Sequence, residues 1–132
     1  MTVILGIGCD RDTSYATLIT AVELALDARK LTRADVCGLA SIDKKNDERC
    51  LLELAKKNNW PLHFFTAQQL ADVAVPNPSE TVRRFMGTPA VAEAAALLAA
   101  RAGMENLLLE KLKHRGADGK NATVSIAKVR HD

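Results

Sequence analysis

The sequence predicts a three-layer α/β domain with a mainly parallel sheet and a C-terminal antiparallel hairpin, formed as a single domain over residues 1–132. Strand-like and helical segments alternate through the first two thirds of the chain, which is typical of βαβ units and a parallel sheet. The last two strand-like segments flank a short polar turn, which indicates an antiparallel hairpin at a sheet edge. The length of 132 residues and the 48% share of hydrophobic residues suit one packed domain.

Five short apolar segments are the predicted strands. The first is partly β-branched and interrupted by glycine, as expected of a buried strand. The fourth begins with an apolar run and continues in an alternating pattern, and a polar turn at Gly116–Asn121 separates it from the fifth. The predicted strands are Thr2–Ile7, Val36–Ile42, Pro61–Thr66, Leu107–Arg115 and Ala122–Arg130.

The first two helices follow the first two strands. Thr13 and Ser14 are N-cap residue types at the start of the first helix, and the second helix is predicted over Glu48–Asn59. The residues expected to face the sheet are Leu18, Val22, Ala25 and Arg29 in the first helix, and Leu51, Leu52 and Ala55 in the second.

Two further helices are predicted in the second half of the chain. A short one covers Ala67–Asp72. Thr88 followed by proline indicates the start of an alanine-rich helix over Ala90–Ala102, which we expect Gly103 to end. So many alanines favour close packing of this helix on the sheet.

Charge and aromatic content exclude several classes of function. The net charge is +2, which is too small for a polybasic nucleic-acid binder and gives no reason to expect a membrane-surface protein. Only 4% of the residues are aromatic, so the chain offers no platform for stacking bases. The last 32 residues carry seven basic and four acidic side chains, so the positive balance belongs to the C-terminal quarter.

The cysteines indicate neither a disulfide framework nor a zinc knuckle, because Cys9, Cys37 and Cys50 are odd in number and lack C-x-x-C spacing. We expect Cys37 and Cys50 to be reduced, buried thiols. Cys9 is either a nucleophile or, as we favour, a half-buried inert thiol. The N-terminal segment has no basic region ahead of its apolar run and therefore predicts neither a signal peptide nor a membrane span, so a cytoplasmic protein is expected.

The first candidate ligand site is G-I-G-C-D-R-D-T-S, where the first strand ends and the first helix begins. Glycines allow close backbone approach, and a helix start offers free N–H groups to an anion. Arg11 stands where a dinucleotide-binding fingerprint requires glycine, so a nucleotide site is not predicted. The alternative is a tight turn without a ligand. The candidate binding residues are Gly6, Gly8, Cys9, Arg11, Thr13 and Ser14.

The second candidate segment follows the second strand, where Asp43 and Lys44 are expected at the same sheet edge as Gly8 and Arg11. The alternative is a solvated charge cluster in which Asp47 caps the next helix.

The third candidate segment consists of two proline-stiffened loops that each end in a hydroxyl cap. Asn77, Ser79, Gly87 and Thr88 are its candidate binding residues, and structural capping is the alternative. Glu93 follows inside the alanine-rich helix, where a carboxylate is either on the surface or functional.

The fourth candidate feature is a row of basic residues, Lys111, Lys113 and Arg115, which alternate along one strand and so share one face. They form either a solvated stripe or a cationic wall for a carboxylate-rich ligand. No metal site is predicted from the scattered histidines, His63, His114 and His131.

These segments, in this order, resemble the CobE and CbiG C-terminal-domain family of cobalamin biosynthesis over nearly the whole chain. The most specific part is V-P-N-P-S-E at 75–80 followed by G-T-P-A-V-A-E-A-A-A-L at 87–97. The other parts are G-I-G-C at Gly6–Cys9, S-I-D-K at Ser41–Lys44 and F-F-T-A-Q-Q-L at Phe64–Leu70. Stand-alone CobE is the most similar form, because CbiG carries further N-terminal domains.

The chain departs from the family pattern at two places. The family usually has a basic pair and a glycine after G-I-G-C, whereas here Asp10 precedes Arg11 and Asp12 replaces the glycine. Near the C-terminus, Glu110 stands before Lys111 where the family often has proline before lysine.

The resemblance implies a role in building the corrin ring. CbiG-type proteins open the ring-A lactone of a cobalt-precorrin and release acetaldehyde, whereas CobE belongs to the aerobic pathway without an assigned reaction. We expect an accessory or carrier protein that holds the acidic rim of a precorrin or hydrogenobyrinic-acid-type tetrapyrrole without a cofactor. The alternative is a lactone hydrolase with Glu93 or Asp43 as general base, and a third hypothesis is a scaffold that docks pathway methyltransferases.

Overall fold

The computed structural model describes residues 1–75 and 91–130. The candidate residues Asn77, Ser79, Gly87 and Thr88, and the helix caps predicted there, lie outside the described residues.

The centre of the molecule is one five-stranded mixed sheet in the order β3-β2-β1-β5-β4. The first three strands are parallel, and β5 runs antiparallel to both β1 and β4. The predicted α/β class, the parallel first strands and the C-terminal hairpin are therefore confirmed. The strands are β1 Val3–Cys9, β2 Val36–Ile42, β3 Leu62–Phe65, β4 Leu107–Arg115 and β5 Asn121–Lys128.

Helices cover both faces of the sheet and so complete three layers. Helices α1 and α2 share one hydrophobic core with side chains of β1, β2 and β5, which include Leu5, Leu39 and Ile126. Helix α4, with α3 beside it, forms a second core on the other face around Ile4, Ile42 and Ala127. The helices are α1 Tyr15–Ala28, α2 Arg49–Asn58, α3 Ala67–Ala71 and α4 Val91–Ala100. No helix in these described stretches is both long and apolar enough to cross a membrane.

Most residues predicted to face the sheet do so, and three expectations about burial are wrong. Leu52 is 43% exposed because the inward face of α2 is formed by Leu51 and Leu54, three residues apart. Arg29 lies beyond the last residue of α1 and is exposed. Cys37 is exposed, whereas Cys50 is buried as expected.

Three helices end on a non-glycine residue in the left-handed conformation. Lys30, Asn59 and Arg101 have φ of 56°, 55° and 58°. After α4, Ala102 N–H donates to the carbonyl oxygen of Leu97 at 3.1 Å, so the helix ends at Ala100, two residues before the predicted last residue Ala102. Each of these ends uses the paired backbone bonds of a Schellman motif, which usually has glycine at this position.

Gly6 is the point of closest approach between the sheet and α4. A Cβ atom at Gly6 would lie 1.9 Å from the backbone oxygen of Ala92 and 2.9 Å from the Cβ of Ala96. The glycine and the alanines of α4 together let the helix axis approach the sheet closely. This packing accounts for Gly6, which lies buried beneath the helix rather than open to a ligand.

Candidate functional site

The loops that follow β1 and β2 meet at the carboxyl edge of the sheet, as predicted for an open α/β sheet. Arg11 joins them, because its Nη2 donates to the carbonyl oxygen of Lys44 at 2.7 Å and its Nη1 to Asp47 Oδ1 at 2.8 Å. The hydrogen bond from Arg11 holds the pKa of the Asp47 carboxyl below its usual range. Asp47 therefore pairs with Arg11 and does not cap α2.

Glu48 is the buried carboxylate of this junction, and only 3% of it is exposed. Its Oε2 accepts from Arg11 Nη1 at 2.9 Å, and its Oε1 accepts from the backbone N–H of Asp12 at 2.6 Å. Asp12 has φ of 61°, the left-handed conformation that glycine favours. A buried charge held by two donors fixes the geometry of both loops. Glu48 was not among the predicted site residues.

The N-terminus of α1 already holds a carboxylate of the chain itself. Ser14 is the N-cap and its side chain accepts from Thr17 N–H at 3.1 Å, while Ser14 N–H donates to Asp118 Oδ2 at 2.9 Å. Hydrogen bonds from the backbone, of which the one from Ser14 N–H has the largest effect, lower the pKa of the Asp118 carboxyl to about 2. Thr13 does not cap the helix, because its hydroxyl donates to the carbonyl oxygen of Asp10 at 2.7 Å. The predicted anion site at this helix start is thus occupied by Asp118.

A cleft of about 420 Å³ opens beside this junction, between the start of α1 and the start of α2. Its lining includes Arg11, Thr13, Ser14, Tyr15, Glu48 and Cys50.

Cys9 and Cys50 lie next to Glu48 on the face of the sheet that α1 and α2 cover. One ligand atom from each of these three residues lies within 4.8 Å of the others. The hydrogen bond between the two thiols lowers the pKa of Cys9 and raises that of Cys50. Burial counteracts this effect at Cys9, and the positive charge of Lys45 adds to it.

The opposite face, covered by α4, carries a row of residues across three strands that is open as far as the described residues 1–75 and 91–130 extend. Gly8 is directly opposite Thr123 on β5, which is directly opposite Lys113 on β4. Among the residues that the structure describes, a Cβ atom at Gly8 would contact only the Cβ of Thr123, at 3.8 Å, so no other described side chain covers Gly8. Lys113 lies two strands away, about 10 Å across the sheet.

The basic side chains of β4 flank this row. Lys111, Lys113 and Arg115 are all exposed, and they alternate with half-buried residues as the sequence predicts. Lys111 acts electrostatically on Glu93 of α4. The charged edge of β4 and the first described turn of α4 therefore belong to one surface.

Glu93 is only 2% exposed, although it lies in a helix of small apolar residues. Burial raises the pKa of its carboxyl, and the charge of Lys111 counteracts this rise in part. A carboxyl with a raised pKa beside a cationic surface suits acid–base chemistry. The other predicted candidate for a general base is Asp43. It lies half-buried in a 3-10 turn directly after β2.

The fold thus divides the predicted site residues between two faces. Cys9, Arg11 and Lys44 belong to the junction beside α2, whereas Gly8, Lys111 and Lys113 belong to the surface beside α4. Glu48, Asp118 and Thr123 were missed. The alternating pattern of β5 is the sequence signal that could have indicated Thr123. No local signal marks Glu48 or Asp118, because the residues that donate to them lie 36 and 104 residues away in the sequence.

Comparison with known proteins identifies relatives of the whole described fold. Residues 3–127 match the family model described as cobalamin synthesis G C-terminus. Protein CobE of a Sinorhizobium species is 35% identical over 108 residues, which are 80% of this chain and 69% of that protein. A crystal structure of CobE, described as a protein from the cobalamin (vitamin B12) biosynthetic pathway, has a TM-score of 0.81 and 34% identity. The superposed part covers 96% of this chain and 92% of the CobE chain.

A longer relative bears the name of an enzyme. Cobalt-precorrin-5A hydrolase of Priestia megaterium is 34% identical over 128 residues, 97% of this chain. The chain spans 32% of the length of that relative.

Proposed function

The chain belongs to the family of the cobalamin synthesis G C-terminus, and we propose that it binds an anionic tetrapyrrole intermediate of cobalamin biosynthesis as an accessory or carrier protein. The ligand is a precorrin or a hydrogenobyrinic-acid-type corrin. The observation that carries the proposal is the open row of Gly8, Thr123 and Lys113 beside α4.

The shape of this surface suits a flat ligand. Gly8 adds no side chain to the half-buried backbone, and of the described residues only Thr123 stands close to the space above it. A macrocycle can therefore rest on the sheet without displacing a described side chain, which agrees with a chain of few aromatic residues.

The charge of the surface suits an acidic rim. One strand presents three cations at every second residue, on Lys111, Lys113 and Arg115. Two residues of a strand span about 7 Å, which is the spacing of neighbouring cations along the strand. Carboxylates at the edge of a tetrapyrrole accept charge-assisted hydrogen bonds from such groups. Arg11 is a weaker candidate for this role, because Asp47, Glu48 and the Lys44 carbonyl already accept from its guanidinium.

Titration with hydrogenobyrinic acid, followed by its absorbance, tests the proposal. We expect saturable 1:1 binding at micromolar concentrations. The double variant Lys111→Glu with Lys113→Glu should weaken binding at least tenfold, and Gly8→Leu should abolish it by filling the floor. Lys128→Glu removes an exposed lysine at the far end of β5 and is the matched control. Absence of binding, or equal weakening by the control, would refute the proposal.

A second candidate function is hydrolysis of a precorrin lactone, with Glu93 as general base and water as nucleophile. The buried position of Glu93 beside Lys111 favours it, and a relative is named as a hydrolase. Incubation with a lactone-bearing precorrin should then release acetaldehyde, and Glu93→Gln should stop the release while tetrapyrrole binding persists. Binding without acetaldehyde release would leave the carrier function alone.

A further inference from the structure

We propose that Cys9, Glu48 and Cys50 form a binding site for a thiophilic divalent metal ion such as zinc(II). The two sulfur atoms and a carboxylate oxygen converge to within 4.8 Å of one another. The residues are far apart in sequence, because Cys9 ends β1 whereas the other two begin α2 after the next strand. Only the adjacency of β1 and β2 brings them together.

The geometry suits a four-coordinate ion. Zinc binds thiolate sulfur at about 2.3 Å and carboxylate oxygen at about 2.0–2.2 Å, so tetrahedral ligand atoms lie about 3.5–3.8 Å apart. The ligand atoms of Cys9, Glu48 and Cys50 lie at most 4.8 Å apart, so an ion would have to draw them together by about 1 Å to reach these separations. Three protein ligands leave a fourth position for water or another donor.

Outer contacts already orient the carboxylate. Arg11 and the backbone N–H of Asp12 donate to the two oxygens of Glu48. Hydrogen bonds of this kind hold metal-ligating carboxylates in place and are a usual part of a metal site. Each oxygen retains a lone pair for a metal ion.

The charges of the cluster would be balanced in the metal-bound form. Glu48 and Cys50 are each 3% exposed, and Lys45, which is 7% exposed, acts electrostatically on Cys9. Binding of the ion would release the two thiol protons to solvent, and the three negative charges of the resulting thiolates and the carboxylate would be balanced by the divalent ion and the Lys45 ammonium group. Without such balance a buried set of this kind is costly.

The buried site adjoins a cleft that opens to solvent. Glu48 and Cys50 line the cleft of about 420 Å³, which gives an ion an entry path. The cluster lies on the face of the sheet opposite to the surface of Gly8 and Lys113. Metal binding therefore goes beyond the proposed tetrapyrrole binding and does not depend on it.

Zinc(II) titration of the reduced protein, in competition with a chromophoric chelator and without thiol reductants, tests the proposal. We expect one ion per chain. Cys9→Ser and Cys50→Ser should each weaken binding by more than about 100-fold, the upper range for loss of an outer-sphere contact. Cys37→Ser removes the exposed thiol outside the cluster and should bind like the wild type.

Cobalt(II) provides a readout that does not depend on any variant folding. The wild type should show thiolate-to-cobalt charge-transfer absorption that zinc(II) displaces. Circular dichroism identifies variants that retain the fold. The proposal is overturned if the reduced wild type takes up no zinc(II), if cobalt(II) shows no thiolate band, or if folded Cys9→Ser binds as tightly as the wild type.

Discussion

Single carboxylates organise this molecule at two places, one buried and one exposed. Glu48 joins the loops after β1 and β2, and Asp118 joins the C-terminal hairpin to the start of α1. Asp12 explains a departure from the family pattern, because its φ of 61° is the conformation for which glycine is suited. The glycine usual in the family and this aspartate thus serve the same turn.

Glu93 differs from these two carboxylates, because burial raises its pKa above the ordinary value of 4.5. The folded state then binds its proton more tightly than the unfolded state. Stability from this residue is fully present below the unfolded pKa and is lost as pH rises through the raised folded pKa.

We predict that Glu93→Gln raises the free energy of unfolding at neutral pH and flattens its fall as pH rises from the ordinary pKa of 4.5 toward neutral pH. Glutamine keeps the shape of the side chain and removes the titration. Denaturant unfolding of both proteins across this range measures the difference. Parallel pH profiles for the two proteins would contradict the prediction.

At the scale of elements, the sequence predicts the strands and helices well where periodicity is strong. Val36–Ile42 is confirmed at both ends, and β1 extends two residues beyond its predicted end to Cys9. The burial of Leu52 was mispredicted because a leucine pair leaves the helix phase ambiguous. The end of α4 was mispredicted because Arg101 takes the left-handed position ahead of the glycine.

We predict that Gly6→Ala destabilises the protein by about 1–3 kcal/mol, the usual cost of overpacking. The added methyl group meets the backbone of α4, which cannot move without leaving the sheet. Chemical denaturation measures the loss. Gly8→Ala is the matched control two residues along the same strand and face, and it should leave stability nearly unchanged. Equal effects of the two substitutions would show that loss of strand glycine, not contact with α4, sets the cost.

The left-handed helix ends allow a stabilising substitution. We predict that Lys30→Gly raises the free energy of unfolding by about 1 kcal/mol, because glycine removes the steric cost of positive φ. Lys30→Ala retains that cost and serves as the control. Thermal unfolding should place the melting temperature of the glycine variant above both other proteins. A Lys30→Gly protein no more stable than Lys30→Ala would contradict the prediction.

At the scale of the whole molecule, the alternation of strand-like and helical segments predicted the three layers and the parallel arrangement of the first three strands. This alternation could not predict that β5 lies between β1 and β4, or which residues of β5 pair with each neighbour, because the register depends on long-range pairing. The two-face division of the site follows from this register. Sequence position alone grouped Gly8 with Cys9, although adjacent residues of a strand point to opposite faces.

We predict that a bound tetrapyrrole stabilises the whole fold through linkage. At a free hydrogenobyrinic acid concentration of 100 times its Kd, unfolding should cost about 2.7 kcal/mol more. A thermal melt with and without the ligand measures this, and the variant carrying Lys111→Glu and Lys113→Glu should show less of the rise. A ligand that binds the native chain yet leaves its melting temperature unchanged would contradict the prediction.

The position of β1 has a consequence for synthesis on the ribosome. β1 is translated well before β5, with which it pairs on one side. Until residues 121–128 leave the exit tunnel, the emerging N-terminal segments carry an apolar strand with an unpaired edge. Co-translational folding can therefore assemble the parallel half but not close it, and during that interval the nascent chain is most exposed to aggregation and to chaperones.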